Sequence, residues 1–230
     1  MQIQYCTITG ADDQTFTDEL AAMSAKYPFV EWGVLVYPKK MGTPRYPNLT
    51  WIDDLRTQTL ECPMHLSAHL CGDAVDHFLT GNSVYRKLID PFQRIQLNMA
   101  VTPTSVRRIG PTVRNAIRRY AVDKTVITQH NDATTRLYRH LSDLDTHALL
   151  FDASRGNGVM PSHWHVPFPA TRCGYAGGLS PENIDAALAA IDRVAGTATI
   201  WIDMESGVRT NDELDMEKVE NILVAASKYA

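Results

Sequence analysis

Arg172-Cys-Gly-Tyr-Ala-Gly-Gly-Leu-Ser-Pro-Glu-Asn-Ile-Asp-Ala-Ala-Leu-Ala-Ala-Ile-Asp-Arg-Val-Ala-Gly-Thr-Ala-Thr-Ile-Trp-Ile-Asp203 is the stretch from which the fold can be predicted. Strands are predicted over Arg172–Ala176 and Thr199–Asp203, with a helix over Pro181–Val194 between them. Ser180 is a favourable N-cap residue and proline is favoured in the first turn, so the helix is expected to begin at Pro181. Strand, helix and strand joined by short connections are typical of a parallel βαβ unit.

The same alternation covers the rest of the chain. The predicted strands are Ile3–Thr9, Val30–Tyr37, His65–Leu70, Arg94–Asn98, Thr125–Gln129, Ala148–Asp152, Arg172–Ala176 and Thr199–Asp203. The other predicted helices are Thr17–Lys26, Trp51–Leu60, Asp73–Leu79, Val84–Ile89, Thr112–Tyr120, Ala133–Leu141 and Met216–Lys228. Eight such strands in 230 residues predict a single (β/α)8 TIM barrel domain over residues 1–230. A doubly wound open sheet is the rival, but it usually has a glycine-rich turn after its first strand, which Ile8-Thr-Gly-Ala-Asp-Asp13 is not.

Composition excludes several classes of partner. With 22 Lys and Arg against 26 Asp and Glu, the formal charge of −4 opposes nucleic-acid binding, which needs a basic surface. Apolar runs fall far short of the roughly 20 residues that cross a bilayer, and no signal peptide is visible, so no membrane partner and a cytoplasmic location are expected. The one basic cluster is predicted to be a solvated helix surface; it contains Arg107, Arg108, Arg114, Arg118 and Arg119.

Glycine-containing turns follow the last two predicted strands. Gly177 and Gly178 precede the capped helix, and Ser206 and Gly207 follow Asp203. Glycines let a backbone approach a ligand closely, free N–H groups at a helix start attract anions, and barrels commonly bind phosphate at these two turns. We therefore predict that the turns hold a phosphorylated small-molecule ligand, with ordinary tight turns as the alternative.

Three side chains could transfer protons at the same end of the barrel. Asp152 ends the sixth predicted strand, and polar residues at strand ends on this face are typically catalytic. His69 ends the third strand and His130 follows the fifth, and imidazole titrates near neutrality. The sequence does not choose between these two histidines as a base.

Closely spaced histidines and a cysteine raise the question of a metal. They are His65, His69, Cys71, His77, His163 and His165. These residue types suit zinc, but the spacing matches no standard zinc motif, so no metal site is predicted.

Two C-terminal motifs resemble those of the phosphoribosylanthranilate isomerase family. They are Ala176-Gly-Gly-Leu-Ser-Pro-Glu-Asn-Ile184 and Ile202-Asp-Met-Glu-Ser-Gly-Val208. Gly33-Val-Leu-Val-Tyr-Pro-Lys-Lys-Met-Gly-Thr-Pro-Arg-Tyr46 is similar to the family's second strand and the loop after it. Ile95-Gln-Leu97 is similar to its fourth strand, and Leu149-Leu-Phe-Asp-Ala153 to its sixth.

The resemblance implies a (β/α)8 barrel that opens a phosphoribosyl ring and isomerises the aminoaldose to an aminoketose without a cofactor. A general acid protonates the ring oxygen and a general base removes the C2 proton. Asp152 matches the acid, and Arg45 matches the arginine that contacts the anthranilate carboxylate. Gln96 and Asp203 fall within matching motifs and are expected to bind substrate.

The first and fourth strands depart from the family pattern. The family ends its first strand with cysteine and glycine, whereas this chain has Thr9 followed by Gly10. An unactivated hydroxyl has too high a pKa to take a carbon-bound proton near neutrality. Cys6 lies three residues earlier, on the opposite strand face and about 10 Å lower, so it is predicted to be a core residue. Asn98 stands where the family commonly has histidine.

We therefore expect an isomerase-like barrel, monomeric or homodimeric, that binds a phosphorylated ribose derivative and could isomerise it. One alternative is different phosphosugar chemistry with His69 or His130 as the base. The other is a non-catalytic protein that binds a phosphoribosyl or nucleotide-like ligand.

Overall fold

The computed structural model describes residues 1–102 and 105–230. Eight parallel strands close into a barrel in sequential order, with the eighth paired to the first. The strands are β1 (Gln2–Thr9), β2 (Val30–Val36), β3 (His65–Cys71), β4 (Arg94–Asn98), β5 (Thr125–His130), β6 (His147–Phe151), β7 (Arg172–Ala176) and β8 (Thr199–Met204). The predicted (β/α)8 fold is confirmed.

Helices surround this barrel. They are α1 (Thr17–Lys26), α2 (Leu49–Glu61), α3 (Asp73–Thr80), α4 (Ser83–Ile89), α5 (Val106–Tyr120), α6 (Tyr138–Leu141), α7 (Ile184–Ala195) and α8 (Met216–Ala226). A 3-10 turn over Ser206–Val208 and a two-stranded hairpin, β9 (Arg209–Thr210) and β10 (Glu213–Leu214), connect β8 to α8. Among the described residues, no helix combines the length and apolarity needed to cross a membrane.

The prediction that a helix begins at Pro181 is wrong, because the side chain of Asn183 stabilises a turn instead. Its Oδ1 accepts from the Ser180 N–H at 3.0 Å, and its Nδ2 donates to the Gly178 carbonyl at 2.7 Å. These bonds hold residues 180–183 in a turn, and α7 begins only at Ile184. Ile184, Leu188 and Ile191, which recur at helical spacing, are buried on one face of α7.

Two other helices differ from the prediction. Helix α5 begins at Val106 and continues through Pro111, rather than beginning at Thr112. Helix α6 is a single turn, because Asn131 and the Thr134 hydroxyl form local bonds in place of helical ones: Asn131 Oδ1 accepts from the Ala133 N–H, and the Asn131 N–H donates to Thr134 Oγ1, both at 3.0 Å. The described residues 152–171, between β6 and β7, contain no helix.

Strand periodicity divides the buried residues into two layers. Side chains pointing outward, including Cys6 and Ile8, pack under the helices, which confirms the prediction that Cys6 is a core residue. Side chains pointing inward, including Leu150 and Trp201, fill the barrel itself. A Cβ on Gly174 would lie only 2.0 Å from the Trp201 ring, so glycine leaves the space that the indole fills. The barrel interior is therefore filled below, and ligand space remains at the carboxyl ends of the strands.

Candidate functional site

A cavity of about 320 Å³ opens at the carboxyl ends of the strands. Its floor contains strand-end polar side chains from around the barrel, and one end is formed by the turns after β7 and β8. The lining includes Thr9, His69, Gln96, Asp152, Gly178 and Asp203.

The glycines of the β7 turn allow a backbone packing that no side chain would permit. Gly177 and Gly178 have φ of +128° and +63°. A Cβ on Gly178 would lie 2.8 Å from both the Gly158 carbonyl oxygen and the Met160 nitrogen. The loop after β6 therefore packs directly on this turn, and glycine is required by both space and backbone conformation.

The turn after β8 packs on the turn after β7. A Cβ on Gly207 would lie 2.0 Å from the Leu179 carbonyl oxygen, so these two backbones are in close contact. Together with Ser206, they form one polar end of the cavity from main-chain and hydroxyl groups. Such a surface suits an anion, because backbone N–H groups can donate hydrogen bonds to it without a charged side chain.

Asp152 follows β6 and lies buried in the cavity wall. Its Oδ2 accepts from the Gly156 N–H at 2.6 Å and from Gln129 Nε2 at 3.0 Å. Its Oδ1 accepts from the Ser154 hydroxyl at 2.8 Å. The loop after β6 thus fixes the direction of this carboxyl group.

Thr9 and Asp203 meet on the wall shared by β1 and β8. The Thr9 hydroxyl donates to Asp203 Oδ1 at 2.9 Å, and both residues are buried and line the cavity. Burial is the largest cause that raises the pKa of Asp203, to about 7, and the charges of Glu31, Glu205 and Asp152 raise it further. The hydrogen bond from Thr9 opposes this rise because it stabilises the ionised form.

His69 and Gln96 contribute polar atoms from β3 and β4. The His69 Nδ1 and Gln96 Nε2 atoms are 3.4 Å apart. In the described chain, His69 Nε2 and Gln96 Oε1 are buried without a hydrogen-bond partner, so both are available to a ligand. Burial, followed by the charge of Arg94, lowers the pKa of His69 to about 3. His69 is therefore neutral at physiological pH and a weak base.

The structure does not bring His130 to the cavity. Its ring packs behind the sheet against Phe151 and Phe168, with centroid distances of 5.7 and 5.3 Å. The preceding residue, Gln129, lines the cavity instead, because successive strand residues face opposite sides. Burial is the largest cause lowering the pKa of His130.

Arg45 lies at the mouth and is held by acidic side chains. Its Nη1 contacts Glu205 Oε1 at 2.8 Å, and its Nε contacts Asp212 Oδ1 at 2.7 Å. Its backbone N–H donates to Asp12 Oδ2 at 2.6 Å, and that carboxylate also pairs with Arg209 at 3.1 Å. Asp12 therefore supports the rim of the site.

The histidines considered as metal ligands are dispersed. His65 packs edge-on against Tyr5, His77 stacks on Tyr85, and His163 lies beside His165. Across residues 1–102 and 105–230, no group of three or more His, Cys, Asp or Glu side chains could hold a metal ion.

Sequence reasoning missed several residues of the site, among them Gly33, Gln129 and Glu205. A Cβ on Gly33 would lie 2.3 Å from Thr9 Oγ1 and 3.1 Å from His69 Nε2, so β2 needs glycine where these side chains converge. A glycine inside an apolar strand is a known signal of close approach. Nothing in the sequence pattern indicates that Glu205 contacts Arg45.

Comparison with protein families gives a match over residues 111–225 to the model described as N-(5'-phosphoribosyl)anthranilate (PRA) isomerase, which is half of the chain. Proteins named N-(5'-phosphoribosyl)anthranilate isomerase from two strains of Desulfitobacterium hafniense are 28% identical over 117 residues. This match covers 45% of the chain and 47% of each relative, so the chain spans about half the length of the curated relatives it matches.

Solved structures share the fold. Phosphoribosyl anthranilate isomerase from Thermotoga maritima has a TM-score of 0.61 at 17% identity, covering 97% of this chain and 98% of the other. A phosphoribosyl anthranilate isomerase in complex with reduced 1-(o-carboxyphenylamino)-1-deoxyribulose 5-phosphate has a TM-score of 0.59 with the same identity and coverage. At these identities the likeness establishes the barrel architecture.

Proposed function

Because the chain belongs to the N-(5'-phosphoribosyl)anthranilate isomerase family, we propose that it isomerises an N-substituted phosphoribosylamine to the corresponding aminoketose phosphate. The observation that carries this proposal is the cavity itself. Its backbone-lined end at Gly178 and Gly207 suits a phosphate, and two buried carboxyl groups, Asp152 and Asp203, lie in its wall.

The proposed binding mode places the phosphate over β7 and β8. There the Gly177–Gly178 turn and the Ser206–Gly207 turn offer main-chain and hydroxyl donors. The unpartnered atoms of His69 and Gln96 then face the sugar hydroxyl groups from β3 and β4.

In the proposed reaction, Asp152 is the proton donor to the furanose ring oxygen. As that C–O bond breaks, the nitrogen lone pair forms a C1=N bond and the ring opens. Loss of the C2 proton then gives an enolamine, which becomes the ketone when C1 is protonated. A positioned acid typically accelerates such a step by about 10²–10⁴-fold.

The direct test is turnover of phosphoribosylanthranilate by the purified full chain, together with restored growth of an isomerase-deficient strain without tryptophan. We expect both. If the reduced carboxyphenylamino deoxyribulose phosphate binds but no turnover or rescue occurs, the chain is a ligand-binding protein and the isomerase proposal is wrong. If neither binding nor turnover occurs, the phosphate site is also wrong.

Substitution of Gly178 by alanine should lower affinity for the same 5-phosphate ligand at least tenfold. The new Cβ would displace the loop at residues 158–160 and distort the turn that is proposed to hold the phosphate. Isothermal titration calorimetry would measure the change.

Gly196→Ala is the matched control. Gly196 has a similar φ of +58°, but a Cβ there meets no atom of the described residues within 4 Å. Both variants therefore place alanine at a positive φ, and only Gly178→Ala should lose affinity. Equal affinity in a folded Gly178→Ala protein would contradict the phosphate assignment.

Glu205 is expected to weaken binding of ligands that carry an aromatic carboxylate. Its carboxylate already occupies the Arg45 guanidinium and would repel a second one. Glu205→Gln should therefore tighten binding of the carboxyphenylamino ligand by about 2- to 5-fold, as expected for one partly exposed charge. The phenylamino analogue without the carboxylate should show no gain, and an equal gain for both ligands would exclude this role.

A further inference from the structure

We infer that Asp203, positioned by Thr9, is the base that removes the C2 proton in the proposed isomerisation. This inference rests on the proposed function and names the group that performs its second proton transfer. It replaces the choice between His69 and His130 that the sequence left open.

The other titratable side chains of the cavity are engaged or unsuitable. Among the described residues that line the cavity, the titratable side chains besides Asp203 are His69, Asp152 and Glu205. His69 is a weak base because it is buried and desolvated. Asp152 is already assigned the proton donation to the ring oxygen, and Glu205 is bound to Arg45.

Asp203 is held on one side and faces the cavity on the other. Its Oδ1 accepts a hydrogen bond from the Thr9 hydroxyl, with 2.9 Å between the two oxygens. Oδ2 is therefore the oxygen available to a ligand. Thr9 is close-packed in turn, since Gly33 on β2 leaves space only for its hydroxyl. The threonine therefore acts as a positioning residue that sets the direction of the carboxylate.

The placement of the two carboxyl groups fits two successive proton transfers. Asp152 follows β6 and Asp203 lies on β8, with β7 and its glycine turn between them. A ligand anchored by its phosphate above β7 and β8 would present its sugar to both groups. One group would act at the ring oxygen and the other at C2.

The proton transfer balances without a co-reactant. Asp203 Oδ2 takes the proton from C2, and the C–H electron pair forms a C1=C2 bond. The C1=N bond of the ring-opened cation becomes a single bond and its nitrogen loses the positive charge. The enolamine then becomes the ketone as its hydroxyl proton is released and C1 gains a proton. Asp203 finally releases the C2 proton, and Asp152, which gave its proton to the ring oxygen, takes one up, so both carboxyl groups return to their starting forms.

The electrostatic surroundings suit a carboxylate base. Glu31 on β2, Glu205 after β8 and Asp152 after β6 are negative neighbours that disfavour ionisation, and neutral His69 on β3 does not offset them. A pKa of about 7 makes ionised Asp203 a stronger base than an ordinary carboxylate, yet leaves it substantially ionised at neutral pH. The rate should rise as pH increases through about 7, since only the ionised form accepts a proton.

The first test is Asp203→Asn, which keeps the shape of the side chain. We expect kcat to fall by about 10²–10⁴-fold, while the dissociation constant of the reduced carboxyphenylamino deoxyribulose phosphate stays within tenfold of the native value. A raised KM with unchanged kcat would make Asp203 a binding residue only and overturn the inference. Loss of kcat in His69→Gln but not in Asp203→Asn would assign the base to His69.

The second test is Thr9→Val, which removes the hydroxyl and keeps the side-chain volume. Because the Thr9 hydrogen bond lowers the pKa of Asp203, its loss should move the acidic limb of the kcat/KM profile to higher pH. The substrate phosphate titrates identically with both proteins, so it cannot produce this difference. An unmoved limb in Thr9→Val would contradict the inference even if Asp203→Asn failed to fold.

Failure of the proposed function is distinguishable from failure of this inference. A native protein that does not turn over phosphoribosylanthranilate overturns both. A native protein that turns it over, with Asp203→Asn equally fast, overturns only the assignment of the base.

Discussion

Asp152→Asn is expected to lower kcat for the proposed reaction by about 10²–10⁴-fold while leaving ligand affinity nearly unchanged. The amide cannot supply the carboxylic proton, so ring opening loses its donor. The structure tolerates the change, because the amide oxygen can keep the bonds from Gly156 and Gln129. The amide nitrogen then faces the Ser154 hydroxyl, which can rotate to accept.

The control for this prediction is Asp132→Asn. Asp132 follows β5 at the same end of the barrel, but its side chain is exposed and does not line the cavity. The kcat of Asp132→Asn should equal that of the native protein. A kcat for Asp152→Asn within threefold of the native value would exclude Asp152 as the acid, and a parallel loss of ligand binding would show that the loop after β6 had moved.

The barrel could be predicted because its determinants are local and repeated. Eight apolar runs alternate with helical patterns, and a strand's period of two places Cys6 in the outer layer and Thr9 in the inner one. The same period explains why His130 was expected near the cavity and yet lies behind the sheet. A strand end uncertain by one residue exchanges Gln129 for His130, and sequence patterns locate strand ends no better than that.

The parts of the site that could not be predicted depend on side chains distant in sequence. Thr9 and Asp203 are separated by 194 positions, and Arg45 and Glu205 by 160. Their contacts depend on the closure of β8 onto β1 and on loop paths over the barrel mouth. Without an alignment, a residue such as Glu205 carries no sequence signal of its partner. The chemistry assigned to Asp203 therefore emerged only from the folded geometry.

Arg94→Met should reduce the free energy of unfolding by about 3–5 kcal/mol, because it leaves a buried carboxylate without its cation. Arg94 Nη1 lies 2.8 Å from Glu31 Oε1 inside the barrel, and both side chains are nearly inaccessible. The guanidinium also lies over Trp201 and Tyr5, with distances of 4.3 and 4.8 Å to the ring centroids. Methionine fills similar space against these rings. The loss of stability would therefore reflect the unpaired charge of Glu31 more than a cavity.

Urea denaturation of three further proteins would isolate the cause. Lys228→Met removes an ion pair of the same 2.8 Å length on the surface, where solvent screens it, and should leave the urea midpoint unchanged. In the native protein the Thr7 hydroxyl donates to Glu31 at 2.7 Å, and Glu31→Gln keeps an acceptor for it. Combining Glu31→Gln with Arg94→Met removes the unpaired charge, so the double variant should be more stable than Arg94→Met alone. If the double variant is instead as unstable as the sum of the two single changes, Arg94 contributes through packing against Trp201 and Tyr5, and the ion pair adds nothing to the stability of the barrel.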